Sequence, residues 1–212
     1  MLWGGKNLSS SITLPVTNLA NGIWIYGSAF FGISLTTGDI NGDNKTDLVV
    51  GNLGKVNVIF ASNVVTYSVS QSVSLINNKV SFTDNSGEAE YLAYSSIAAG
   101  DINGDAFDDV VVGAIFALGY RGRIYIFFGS ANTQSLSISS SSTPTGTTWS
   151  RINGNIDNGQ LGVSVGIVHG IPGTSDDIVL GAPFAPDDLG TSYLVCRSTC
   201  KQKLSLCIRC IG

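Results

Sequence analysis

A ten-residue pattern that occurs twice limits the fold of this chain more than any other feature. Ser34-Leu35-Thr36-Thr37-Gly38-Asp39-Ile40-Asn41-Gly42-Asp43 returns as Ser96-Ile97-Ala98-Ala99-Gly100-Asp101-Ile102-Asn103-Gly104-Asp105. In the same phase, Asp47-Leu48-Val49-Val50-Gly51 returns as Asp109-Val110-Val111-Val112-Gly113. A weaker third copy begins at Ser164 and recovers the phase at Asp177-Ile178-Val179-Leu180-Gly181. An alternating run led by glycine follows each copy, at residues 55–60, 123–128 and 191–195.

Each unit therefore reads as a short strand, an Asp-rich loop, a Val-rich buried strand and an alternating strand. A less regular fourth strand precedes the next unit, as at 22–27 or 149–152. Composition agrees: 26 glycines, 5 prolines and 43% apolar residues suit strands joined by tight turns. Four antiparallel strands per unit is the content of a propeller blade. A blade is apolar on both faces, so neighbours must stack to bury them. The expected fold class is all-β, a partial β-propeller spanning residues 1–195 with repeats centred on 31–60, 93–128 and 161–195. The Ser/Thr-rich stretch 135–148 reads as a long polar loop.

The composition changes abruptly at Cys196, and residues 196–212 form a Cys/Lys/Arg-rich tail expected to be unstructured. All four cysteines, Cys196, Cys200, Cys207 and Cys210, lie there, so packing or bound ions must hold the body together. Their intervals are shorter than the ~12 to 20 residues of common zinc modules, which disfavours zinc.

Charge excludes other classes. Fifteen acidic residues face eleven basic ones, four of which (Arg197, Lys201, Lys203, Arg209) sit in the tail. So acidic a body repels phosphate backbones, and no nucleic-acid partner is expected. The longest apolar stretch, residues 110–118, falls far short of the ~20 residues that a membrane helix needs, so no membrane span is expected. The N-terminal residues lack the pattern of a secretory signal.

The Asp-rich loops carry the chemistry. Asp39, Asn41, Asp43 and Asp47 occupy positions 1, 3, 5 and 9, and Asp101, Asn103, Asp105 and Asp109 repeat that spacing. Alternate residues of a tight loop aim side-chain oxygens into one hollow, and Ca²⁺ takes six to eight oxygens, so two Ca²⁺ sites are expected. Position 7, Lys45 or Phe107, would add its backbone carbonyl. An EF-hand is excluded because position 12 is Val50 or Val112 where a bidentate Glu is required, and β-branched runs follow the loops. Position 6 needs left-handed backbone, which Asn44 tolerates and which strains Ala106 by about 1 kcal/mol. In the third copy the equivalent positions are His169, Ile171, Gly173 and Asp177, and no calcium is expected there. The alternative for the first two loops is a set of Asp/Asn turns that cap only their own backbone.

The chain resembles FG-GAP repeats, the blades of the integrin alpha-chain β-propeller. Phe31-Gly32 and Leu161-Gly162 precede the loops, and Gly113-Ala114-Ile115 and Gly181-Ala182-Pro183 follow the buried strands. The resemblance implies calcium on one face of the propeller as a brace, with ligands or partner subunits meeting the other. It implies a noncatalytic, extracellular or cell-surface adhesion module that recognises a protein partner or extracellular ligand. Integrin propellers have seven blades, about twice this chain or more. The expectation is thus a fragment of such a ring, a truncated nonfunctional product, or a chain that covers its open edges with further blades or by self-association. Similar repeats occur in a phospholipase that cleaves glycosylphosphatidylinositol anchors, and a propeller segment of such a secreted hydrolase is the alternative.

Enzyme motifs are explained by the repeat. Gly162-Val163-Ser164-Val165-Gly166 matches a nucleophile elbow, with the single histidine, His169, close behind. Yet Ser164 is in phase with Ser34 and Ser96, and His169 with Asp39 and Asp101. The pairs Asp108/Asp109 and Asp176/Asp177 each hold one repeat member and one residue alternating to the other strand face, not a glycosidase dyad. Asn7-Leu8-Ser9 and Asn44-Lys45-Thr46 are N-glycosylation sequons in a secreted setting. Trp24, Tyr26, Phe30 and Phe31 are expected to fill the space between blades.

Overall fold

A computed structural model describes residues 23–61, 70–85, 91–139, 141–169, 175–184, 190–197 and 206–211. The first unit comprises β2 (Ser34–Gly38), β3 (Asp47–Asn52) and β4 (Lys55–Ile59), preceded by β1 (Trp24–Tyr26) and followed by β5 (Ser70–Ser72) and β6 (Lys79–Asp84). The second comprises β7 (Ile97–Gly100), β8 (Asp109–Ala114) and β9 (Arg123–Phe127), followed by β10 (Leu136–Ile138) and β11 (Trp149–Asn153). The third comprises β12 (Ser164–Val168), β13 (Asp177–Ala182), β14 (Thr191–Arg197) and β15 (Leu206–Ile211).

These form three antiparallel meanders, ordered β2-β3-β4-β6, β7-β8-β9-β11 and β12-β13-β14-β15. The architecture is the all-β set of four-stranded blades expected from the repeat. Equivalent pairs keep equivalent register, Gly38↔Asp47, Gly100↔Asp109 and Val168↔Asp177, so each Asp-rich segment joins the first two strands of its blade. Repeated turn chemistry sets that register, and a slip of one residue would turn the valines of β3 and β8 to the wrong face.

Two cores lie between the blades. Val49, Val56 and Val58 of the first blade meet Val110, Val112, Tyr125 and Phe127 of the second, and the Phe82 and Phe127 rings stack at 4.3 Å. Val111, Ile124 and Ile126, from the other face of the second blade, meet Ile178, Leu180 and Val195 of the third. Alternation along β8 and β9 thus serves two neighbours, which is why both strands are buried along their whole length. Each fully buried Val or Phe contributes about 1.5–3 kcal/mol relative to exposure.

Four expectations need correction. The stretch 135–148 is not only a loop: Leu136–Ile138 runs parallel to β6 and adds a fifth strand to the first blade. Ile138, 1% exposed, supplies the apolar anchor. Among the described residues the strand at Trp24–Tyr26 joins no blade but pairs in parallel with Ser70–Ser72. Trp24, Tyr26 and Phe30 are 45%, 43% and 56% exposed, so they do not fill the space between blades. In the tail, Leu206–Ile211 is a strand paired with β14, with Cys196 opposite Cys207 in register. Among the described residues no helix is long and apolar enough to cross a membrane.

Candidate metal centre

The acids of each loop fold its own backbone. In the first loop, the Asp43 amide donates to Asp39 Oδ1 (3.0 Å) and Asn41 Oδ1 (3.1 Å). The Asn44 amide donates to Asp39 Oδ2 (2.8 Å), and the Lys45 amide to Asp43 Oδ1 (3.0 Å). The second loop repeats this pattern: the Asp105 amide meets Asp101 Oδ1 (3.0 Å) and Asn103 Oδ1 (2.9 Å). The Ala106 amide meets Asp101 Oδ2 (2.9 Å), and the Phe107 amide meets Asp105 Oδ1 (3.0 Å). Short polar side chains reaching forward to their own backbone are what such a tight turn demands. Position 6 is left-handed in both, with φ of 60° at Asn44 and 70° at Ala106, so the alanine is the strained member.

The loops differ at position 7. The Lys45 ammonium sits 2.9 Å from Asp43 Oδ2, and this contact holds the Asp43 carboxyl below its usual range. Phe107 offers no charge, and in its place Asn103 Nδ2 donates to Asp105 Oδ2 (2.8 Å).

Position 9 is the buried end of the site. Asp47 and Asp109 are both 0% exposed. Asp47 accepts the amides of Ile40 (3.0 Å) and Ala61 (2.8 Å); Asp109 accepts those of Ile102 (3.0 Å) and Gly129 (2.9 Å). Each carboxyl thereby ties its loop to the end of the alternating strand. Burial raises the Asp47 pKa, with Asp43 and Asp39 adding to the rise against the two amides. Burial pushes Asp109 up to about 7, with Asp105 and Asp101 adding to it.

The donor set fits a hard cation. Each loop offers three carboxylates and one amide oxygen, and the outer acids add to the cost of ionising the buried one, Asp47 or Asp109, a cost that a divalent ion would offset. The oxygens of positions 1 and 3 already converge on one amide in both loops. As arranged, among the described residues no three His, Cys, Asp or Glu side chains are gathered closely enough to hold a metal. In the third copy, His169 Nδ1 lies 2.7 Å from Asp176 Oδ1 and Asp177 is buried, while Ile171 and Gly173 lie outside the described residues.

The family model described as the FG-GAP repeat matches residues 31–57 and 93–127, which enclose the first two loops and their flanking strands. Those two segments match the FG-GAP repeat. It is 23% identical to integrin alpha-PS2 of Drosophila melanogaster over 204 residues, covering 90% of this chain and 13% of that protein. It is 35% identical to human integrin alpha-11 over 108 residues, covering 48% of this chain and 9% of that protein. The chain thus spans about a tenth of the length of these curated relatives.

In the third blade the enzyme motif loses its geometry. Ser164 opens strand β12, which pairs antiparallel with β13, so no strand-to-helix elbow exists around it. Sequence reasoning missed Asp108 and Asp176, which were assigned to a strand face. Both aim at the preceding blade, where their carboxylates accept the amides of Asp39 (2.8 Å) and Asp101 (3.1 Å). Their recurrence at position 8 of the second and third copies was the available signal.

An aromatic cluster lies at the opposite strand ends, in the segments that enter β7 and leave β8. The Phe116 ring is 5.1 Å from Tyr91, 5.7 Å from Tyr94 and 5.3 Å from Tyr120. Tyr94 and Tyr120 are 37% and 49% exposed, and Tyr91 and Tyr120 have φ of 47° and 66°, a conformation that costs about 1–3 kcal/mol per residue.

Proposed function

We propose that this chain is a noncatalytic adhesion module of the integrin-alpha kind, a propeller segment braced by calcium on one face and presenting the other to a protein ligand at the cell surface. The observation that carries the reading is the duplicated loop: two copies share their hydrogen-bond pattern and each closes over a fully buried carboxyl, Asp47 or Asp109. Asp39, Asn41, Asp43, Asp47 and the Lys45 carbonyl would hold one ion. Asp101, Asn103, Asp105, Asp109 and the Phe107 carbonyl would hold the other. When bound, calcium supplies positive charge that offsets the crowded acids. The protein's own part is mechanical: Asp47 and Asp109 anchor each loop to the alternating strand, so a stiffened loop stiffens the blade.

The integrin relatives support the adhesive reading, and so do the exposed aromatics on strained backbone at the end opposite the loops. Tyr and Phe rings give large contact areas with few rotors to immobilise. Calcium titration with thermal melting tests the brace. Millimolar calcium is expected to raise the melting temperature by about 5 °C or more, because an ion that binds only the folded state stabilises it by mass action. Coincident melting curves in calcium and in chelator would remove the reading.

A further inference from the structure

The carboxylates at position 8 form a repeated joint between blades. Asp108 Oδ2 accepts the Asp39 amide (2.8 Å) while the Asp108 amide donates to the Asp39 carbonyl (3.0 Å). Asp176 does the same to Asp101, at 3.1 Å and 2.7 Å. Both gripped residues follow a glycine. A Cβ on Gly38 would stand 2.8 Å from Asp108 Oδ2, and one on Gly100 would stand 2.7 Å from Asp176 Oδ2. The second blade adds two more holds on the first loop: the Ser130 amide donates to the Ile40 carbonyl (3.1 Å), and the Phe107 ring lies against Gly42.

We propose that Asp108 and Asp176 are positioning residues for the calcium site of the preceding blade, so that the first loop is set by the second blade and the second loop by the third. The inference rests on the calcium reading of the loops. A reciprocal pair that fixes both the N–H and the C=O of Asp39 fixes the direction of its Cα–Cβ bond, and with it the carboxylate that opens the ligand set. The order is imposed before an ion arrives, and pre-organisation of this kind raises affinity by lowering the ordering cost. Asp108 belongs to the second loop in sequence and acts on the first in space.

The test is a calcium titration of the full chain followed by amide NMR, reading Asp39 and Asp101 separately, with Asp108→Ala, Asp176→Ala and their Asn counterparts. Asp108→Ala is expected to weaken the first site about tenfold and leave the second within about twofold, and Asp176→Ala to weaken the second site about tenfold, as loss of an outer-shell partner does. The Asn variants keep an acceptor oxygen and should recover most of the affinity. Hydrogen exchange in chelator supplies a readout free of metal: Asp39 should exchange about tenfold faster in Asp108→Ala, and Asp101 in Asp176→Ala. An Asp108→Ala chain that loses its own loop's site, or whose Asp39 amide exchanges at the wild-type rate, overturns the proposal. Should Asp108→Ala fail to fold, Gly38→Ala, which pushes the same joint apart, must show the same selective loss at the first site. A wild-type chain that binds no calcium would end the calcium reading, and the exchange rates would then decide the joint alone.

Discussion

The first and second Asp-rich loops share spacing, strand register and hydrogen-bond pattern, yet they balance their charge differently. Lys45 neutralises Asp43 in the first, whereas the second has Phe107 in that place and only an amide, Asn103, beside Asp105. Its buried acid, Asp109, is pushed up to about 7. Identical geometry therefore does not mean identical dependence on a cation: the second loop has more uncompensated negative charge and should gain more from calcium.

The largest expected effect breaks the anchor itself. Asp109→Ala leaves the buried amides of Ile102 and Gly129 without acceptors, which should destabilise the chain by about 2–4 kcal/mol in urea titration, at about 1–3 kcal/mol for each group left unpaired. Asp109→Asn keeps an oxygen and should lose far less stability while still losing calcium. If Asp109→Ala melts like the wild type, the carboxyl is not the anchor described.

A second prediction separates the loops by pH. The folded pKa of Asp109 lies above the ordinary 3.8, at about 7, so folding favours its protonated form. The benefit is complete below the unfolded value and is lost as pH rises through the folded one. In chelator, the melting temperature should fall between about pH 4 and pH 7, and Asp109→Asn should flatten most of that slope. Asp47 is displaced in the same direction. A slope that survives Asp109→Asn but vanishes in Asp47→Asn would reverse the comparison.

The smallest effect concerns Lys45. If the first loop holds calcium as proposed, the Lys45 ammonium would compete with it for Asp43, so Lys45→Ala should tighten the first site about threefold, in keeping with the small worth of exposed ion pairs. Calorimetric titration would show it, and unchanged or weakened affinity would mean that the lysine does not compete.

The blades were legible because their signal is local and repeated. Val-rich runs following Asp-rich turns mark β3, β8 and β13, and the left-handed positions Asn44 and Ala106 follow from turn geometry alone. The strand β10 was not legible, because two apolar residues in a serine-rich stretch become a strand only beside Phe82 and Asp84. Leu206–Ile211 was hidden by its basic, cysteine-rich composition, since pairing with β14 depends on a partner and not on propensity. The exposure of Trp24 and Tyr26 was misjudged because strand aromatics are usually inward and β1 pairs only with β5 among the described residues, while Phe30 is exposed in the turn before β2, with φ of 64°.

The order of residues along the chain determined the repeat, the turn type and the oxygen-rich donor sets, since each depends on contacts within a few residues. Tertiary structure alone decided which blade holds which loop. Asp108 and Asp176 are neighbours of their own loops in sequence, but a hydrogen bond is short and directional, and only the stacking of one blade on the next brings their carboxylates to Asp39 and Asp101.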